Sequence, residues 1–128
     1  MKLKFNHIGI ACENISEVIV FLESTFNIVS KSKIIYHENH GVDACLLTND
    51  DGTNIELVSG KNIESFVKKK QSLYHSCWEV NNIDTAIKNF CDNDAVLISE
   101  PKESLLFNNR KVAFLYTSVG ILELLESE

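Results

Sequence analysis

The sequence predicts an α+β fold made of two paired βαβββ modules, and three observations predict it. Residues 5–22 recur as residues 73–90 at an offset of 68, so that His7 meets His75 and Asn14-Ile15 meets Asn82-Ile83. In both copies a short alternating segment that reads as a strand is followed by apolar residues at i, i+3, i+4 and i+7, the spacing of one buried helix face. Glu56 recurs as Glu123 at an offset of 67, each flanked by apolar residues on a strand-like segment that closes its half.

Each element follows from local pattern. The helix set Ile15, Val18, Ile19, Leu22 meets Ile83, Ala86, Ile87, Phe90. Asn14 is placed as the N-cap of the first helix, with Glu17 in the capping-box position, and Asn82 occupies the equivalent cap without the glutamate. Three strands are expected at about 28–36, 42–48 and 53–59, separated by turn signals at His40-Gly41 and Asp50-Asp51-Gly52. Ile63, Phe66 and Val67 at helical spacing predict a connecting helix over about 61–72, ending in the solvated lysines Lys68, Lys69 and Lys70. The second half predicts strands at 95–99, 111–116 and 120–126, separated by a polar stretch around Pro101 and by Asn108-Asn109. The whole chain, 1–128, reads as one domain: repeat one over about 1–60, the connecting helix over 61–72, and repeat two over 73–128.

Composition narrows the function classes. Eighteen acidic against twelve basic residues leave a net charge of −6, which repels phosphate backbones and anionic membranes and argues against nucleic acid as a partner. No run approaches the ~18 apolar residues a membrane helix needs, and polar residues interrupt the N-terminal apolar stretch before a signal core forms. Cys12, Cys45, Cys77 and Cys91 form no CxxC pair, and three of them lie in apolar segments, which suits buried free thiols in a reducing, cytoplasmic setting.

One His and one Glu per copy make four candidate metal ligands: His7, Glu56, His75 and Glu123. A lone histidine is more often a satisfied core residue than a ligand, but all four recur at one spacing. Two copies packed about a pseudo-twofold axis bring equivalent side chains together. Two neutral imidazoles and two carboxylates suit a divalent first-row ion and balance its charge. Period-2 alternation puts each glutamate on the face opposite its apolar neighbours, away from the helices. Cys77 and Glu79 share the face of His75. His37 and His40 fall in the polar stretch 36–41 and are expected in a surface loop, with substrate contact at a cavity mouth as the functional alternative.

The segments Asn6-His7-Ile8-Gly9-Ile10-Ala11, Tyr74-His75-Ser76-Cys77-Trp78-Glu79-Val80 and Gly120-Ile121-Leu122-Glu123-Leu124 resemble the metal-binding strands of methylmalonyl-CoA epimerases and glyoxalase I enzymes. Both belong to the vicinal oxygen chelate (glyoxalase/bleomycin resistance/dioxygenase) superfamily, and the resemblance covers nearly the whole chain. It implies a curved, mixed eight-stranded sheet around a metal-containing cavity. His7, His75 and Glu123 match ligands common to both enzyme families. Glu56 falls where epimerases typically have glutamine and bacterial glyoxalases glutamate. Ala11 and Gly60 depart from glyoxalase residues that hold glutathione. Ala44 stands where epimerases carry a second catalytic carboxylate, and Asp43 would need a one-residue bulge to replace it. Tyr116-Thr117 replaces the epimerase His-Pro.

The resemblance implies one divalent ion (Ni, Co, Zn, Mn or Mg), a small thioester or carbonyl substrate, and an isomerase that moves a proton at the adjacent carbon, with Glu123 and Glu56 as the catalytic bases. The alternatives are a lactoylglutathione lyase of glyoxalase I type, an iron dioxygenase, and a non-catalytic binding protein of the same fold. Homodimers are common in the superfamily. Lys68–Lys70 could attract a phosphate-bearing substrate such as a coenzyme A ester.

Overall fold

The computed structural model describes residues 2–128. Among them run β1 (Lys4–Ala11), α1 (Ile15–Thr25), β2 (Ile28–Lys31), β3 (Ile35–His37), β4 (Val42–Asn49), β5 (Asn54–Ser59), α2 (Glu64–Lys68), β6 (Leu73–Val80), α3 (Ile83–Asp92), β7 (Val96–Ser104), β8 (Arg110–Thr117) and β9 (Gly120–Glu126). Short 3₁₀ turns cover Lys61–Ile63 and Leu105–Phe107. The fold is α+β with mixed strand pairing, and its residues cluster into two compact units: His7–Tyr74, and the segment ending at Asn6 together with His75–Glu128.

In the first unit the strands run in the order β2-β4-β5-β1, with β3 also beside β4. The pair β1–β5 is parallel and the others are antiparallel. Helix α1 starts where expected: Asn14 accepts a hydrogen bond from Glu17 N–H at 3.1 Å, which satisfies one of the free donors of the first turn. Ile15 and Leu22 of α1 pack with Cys45, Leu47, Ile55 and Leu57, so the odd-numbered residues of β4 and β5 face the helix. The second unit repeats the plan in the order β6-β9-β8-β7, with β6–β9 parallel. Asn82 caps α3 through Thr85 N–H at 2.9 Å, and Ile83 and Ala86 pack on Ala113, Leu115 and Leu124.

Nine strands replace the expected eight because the segment at 28–36 divides. Its break is made by Ser32, whose N–H donates to Leu46 O at 2.8 Å and whose Oγ accepts from Leu46 N–H at 2.9 Å. A side-chain hydroxyl thus substitutes for one rung of the ladder. The polar stretch around Pro101 is not a separator, since β7 continues through it to Ser104. Within its unit β7 pairs only with β8, so the N–H that Pro101 lacks is not missed, and the register shift between Ser99 and Lys102 brackets it. The connecting helix is shorter than expected: α2 spans Glu64–Lys68, and Lys68, Lys69 and Lys70 are exposed. No helix among the described residues is long and apolar enough to cross a membrane.

Candidate metal centre

Strand alternation and register build one His–Glu pair in each half. In the first, Ile8 and Ile10 pack towards α1, which turns His7 to the opposite face of β1. Glu56 occupies that same face of β5, between the helix-facing Ile55 and Leu57. Gly9 is the register partner of Glu56, so His7 stands two residues before it on the neighbouring strand. His7 Nε2 then lies 3.2 Å from Glu56 Oε1, with the histidine fully buried and the glutamate 6% exposed.

The second half reproduces this arrangement. Cys77 is the register partner of Glu123, and His75 again stands two residues before it. His75 Nε2 lies 3.1 Å from Glu123 Oε1, and both side chains are buried. Phe114, opposite Glu123 on β8, meets the His75 imidazole edge to face at 5.4 Å and 88°. The alternation of β8 carries the signal for Phe114, because it pairs with a candidate ligand on the face turned from the helix.

Burying a carboxylate is unfavourable unless it is hydrogen-bonded or neutralised by a cation. Each pair offers one imidazole nitrogen and one carboxylate oxygen, donors of the kind that hold a divalent ion. The spacing within each pair fits this chemistry. At metal–ligand bonds of roughly 2.1 Å, adjacent ligand atoms of an octahedral or tetrahedral ion stand roughly 3.0–3.4 Å apart, and the two pairs stand 3.2 and 3.1 Å apart.

Other residues singled out in the sequence are placed as follows. Register is unbroken from Asp43↔Ser59 to Thr48↔Asn54, and no bulge turns Asp43. Ala44 and Leu46 therefore share the face of Glu56, and Asp43 lies on the other. His37 is not in a surface loop: it ends β3, is 5% exposed, and pairs with Val42, which puts it on the Glu56 face as well. The loop expectation failed because the helical and strand periods of a three-residue strand are too short to read. His40 lies in the turn that follows.

Glu79, on the face of His75, accepts from Asn6 Nδ2 at 3.1 Å and pairs with Arg110 at 3.2 Å. Arg110 Nε donates to Phe107 O at 3.1 Å. Arg110 is the one arginine in the sequence, a signal that alternation alone did not connect to Glu79. The described cysteines are free thiols, with Cys12, Cys45 and Cys77 buried and Cys91 exposed. Burial pushes the Cys12 thiol up to about 11, against the smaller lowering effect of a backbone hydrogen bond at Val58.

Residues 6–114 match the family model described as glyoxalase/bleomycin resistance protein/dioxygenase superfamily. Among solved structures, methylmalonyl-CoA epimerase from Mycobacterium tuberculosis is similar with a TM-score of 0.83 at 16% identity, covering 98% of this chain and 88% of that one. A hypothetical protein from Bacillus halodurans C-125 is similar with a TM-score of 0.77 at 23% identity, covering 100% and 96%. Glyoxalase I from Zea mays is similar with a TM-score of 0.67 at 16% identity, covering 97% of this chain and 43% of the maize one. At these identities the likeness concerns the fold. No curated protein matches the chain in sequence. By the extent of the family match, which takes in both halves, the chain belongs to the glyoxalase/bleomycin resistance protein/dioxygenase superfamily.

Proposed function

We propose that His7, Glu56, His75 and Glu123 jointly hold one divalent metal ion, within a single domain made of both halves, and that the chain is an isomerase moving a proton at the carbon beside a thioester or carbonyl. The observation that carries this reading is the repetition of one buried His–Glu pair, in the same register and at the same separation, in each half. The similarity in fold to methylmalonyl-CoA epimerases supports the choice of reaction class.

A divalent ion held by these ligands would supply stabilisation for negative charge developing on a carbonyl oxygen. The protein's own part is proton transfer. Glu123 takes the proton from the adjacent carbon, and Glu56, from the other half, returns one to the opposite side. Ala44 offers no carboxylate on the face of Glu56 and Asp43 points away from it, which leaves Glu56 as the second base. The free thiols are consistent with a reducing, cytoplasmic setting.

A second reading, a lactoylglutathione lyase of glyoxalase I type, is favoured by one feature, the glutamate at position 56. Ala11 and Gly60, where glyoxalases hold glutathione, speak against it.

The test is metal content of the purified protein, followed by deuterium exchange into methylmalonyl-CoA in heavy water. One ion per chain with exchange supports the isomerase. Metal without exchange, but with turnover of the hemithioacetal of glutathione and methylglyoxal, selects the lyase. A chain that takes up no divalent ion after supplementation defeats the proposal.

A further inference from the structure

The chain passes between the two compact units twice, and both passages fall at the residue before a proposed metal ligand. Asn6 belongs to the second unit and His7 opens the first, while Tyr74 closes the first unit and His75 resumes the second. The residue ahead of each histidine is therefore built into the unit that carries the other histidine. Tyr74 is held by a ring contact with Phe66 of α2, centroids 5.1 Å apart. Asn6 is held through its side-chain amide, which donates to Glu79 Oε2 at 3.1 Å. Glu79 stands four residues after His75 on β6, so the strand that bears one histidine grips the residue next to the other.

The grip on Asn6 is firm. Both carboxylate oxygens of Glu79 are engaged, Oε2 by Asn6 and Oε1 by Arg110 Nη1 at 3.2 Å. Arg110 is fixed in turn, because its Nε donates to Phe107 O at 3.1 Å and its guanidinium lies 5.9 Å from the centre of the Phe107 ring. An ionised carboxylate only accepts, so two donors on opposite oxygens define its orientation. Phe5, next to Asn6, meets Trp78, next to Glu79, edge to face at 5.1 Å and 66°. Trp78 Nε1 donates to Ser76 Oγ at 3.0 Å, which steadies that ring. Two consecutive residues are thus tied to two consecutive residues, which fixes the direction of the chain as well as its position. The duplication does not supply an equivalent bond. At the offset of 68, Glu79 corresponds to Ala11, whose side chain has no acceptor, and Asn6 to Tyr74. The Asn6–Glu79 bond is a departure from the repeat, placed at the passage into His7.

We propose that Glu79 is a positioning residue for the metal site, acting through Asn6 to set His7. This deepens the proposed function and rests on its four ligands. A ligand set works only when its members are held within roughly 0.5 Å and 10–20° of the required geometry. One residue of strand advances only about 3.3 Å, so an anchor at Asn6 leaves the backbone of His7 little room to swing. Glu79 contributes no ligand atom of its own. Its part is to hold the entry to His7 in register with the strand that carries His75.

The experiment measures zinc affinity by competition with a chelating dye, the absorption spectrum of the cobalt(II) form, and the thermal melt of the metal-free chain. It compares the unaltered protein with E79A, N6A, the double variant and E79Q. E79A and N6A are each expected to weaken zinc binding about tenfold, the lower end of what groups that orient metal ligands are worth, and to shift the cobalt spectrum, which reports ligand geometry. The double variant should bind no more weakly than either single one, because both remove the same bond. E79Q should restore most of the affinity, since its amide offers Asn6 either an acceptor or a donor and the Asn6 amide can turn to match. A purely structural role would lower the melting temperature and leave zinc affinity and the cobalt spectrum of the folded variants as they were, and that result overturns the proposal. Losses that add in the double variant, or an E79Q as weak as E79A, overturn it too. N6A removes the bond without touching Arg110 and decides the matter if E79A does not fold. An unaltered protein that binds no zinc defeats the metal site and the positioning role together, whereas zinc binding that no variant alters defeats the positioning role alone.

Discussion

The carboxylate of Glu126, near the end of β9, accepts a hydrogen bond of 2.9 Å from the backbone N–H of Ile83, the first residue of α3. One residue thus satisfies a free donor of the helix and places negative charge at the positive end of its dipole. Asn82 holds the Thr85 N–H of the same turn, so two of the free donors are taken by side chains. Glu126 lies three residues after Glu123, on the opposite face of the same strand, so the strand that carries a candidate ligand is also pinned to the helix behind it. Replacing Glu126 by Ala is expected to lower unfolding free energy by about 1 kcal/mol, measured by urea titration, with metal content unchanged. A loss of metal equal to that of a ligand variant would show that the cap also sets the site.

Removing either proposed histidine ligand should be far more damaging to metal binding than to the fold. Since residues that only hydrogen-bond to a metal's ligands are already worth about 10–100-fold in affinity, His7→Ala and His75→Ala should each weaken zinc binding by on the order of 100-fold or more. Competition with a chelating dye measures this. Affinity unchanged from that of the unaltered protein in both variants contradicts a shared site.

Metal should also stabilise the chain, because the unfolded state has no preformed site. At a free zinc concentration on the order of a hundred times the dissociation constant, linkage supplies about 2.7 kcal/mol. A thermal melt should then rise by on the order of 10 °C. No rise in the unaltered protein would argue that the buried pairs are structural.

Glu123→Gln keeps the shape of the side chain and removes its basicity. Deuterium exchange into substrate should fall to the uncatalysed rate with the fold intact by circular dichroism. Glu56→Gln should retain exchange of the proton at Glu123 while losing epimerisation, because only the return to the opposite side is blocked. If both variants lose exchange equally, the division of roles between them is wrong.

The thiols give a pH-dependent outcome. The Cys12 pKa is raised by burial from 9.0 to about 11, so the folded chain holds that proton more tightly than the unfolded one. Its contribution is intact below pH 9 and is lost as pH rises from about 9 to about 11. Chemical denaturation at pH 8 and pH 11 should show that decline, and Cys12→Ala should reduce it. At pH 8 iodoacetamide should label Cys91 in the native protein, with Cys12, Cys45 and Cys77 labelled only after unfolding.

The sequence by itself determined the duplication, the helix starts at Asn14 and Asn82, and the residue types of the two His–Glu pairs. These are written in local periods and in spacing, both of which survive without knowing which strand lies beside which. The capping asparagines act on N–H groups three residues away, and the alternation around Glu56 and Glu123 already sets each glutamate apart from its apolar neighbours. What only the tertiary structure decided is non-local. Register placed each histidine two residues before the partner of its glutamate, kept Asp43 off the face of Ala44, and carried β7 through Pro101 where no neighbour needs the missing donor. It also turned His37 from an expected loop residue into a buried strand residue, because pairing with Val42 gave a three-residue segment the face that its own sequence is too short to specify. A strand's period fixes which of its residues alternate, whereas the ladder hydrogen bonds to its neighbours fix what those residues face.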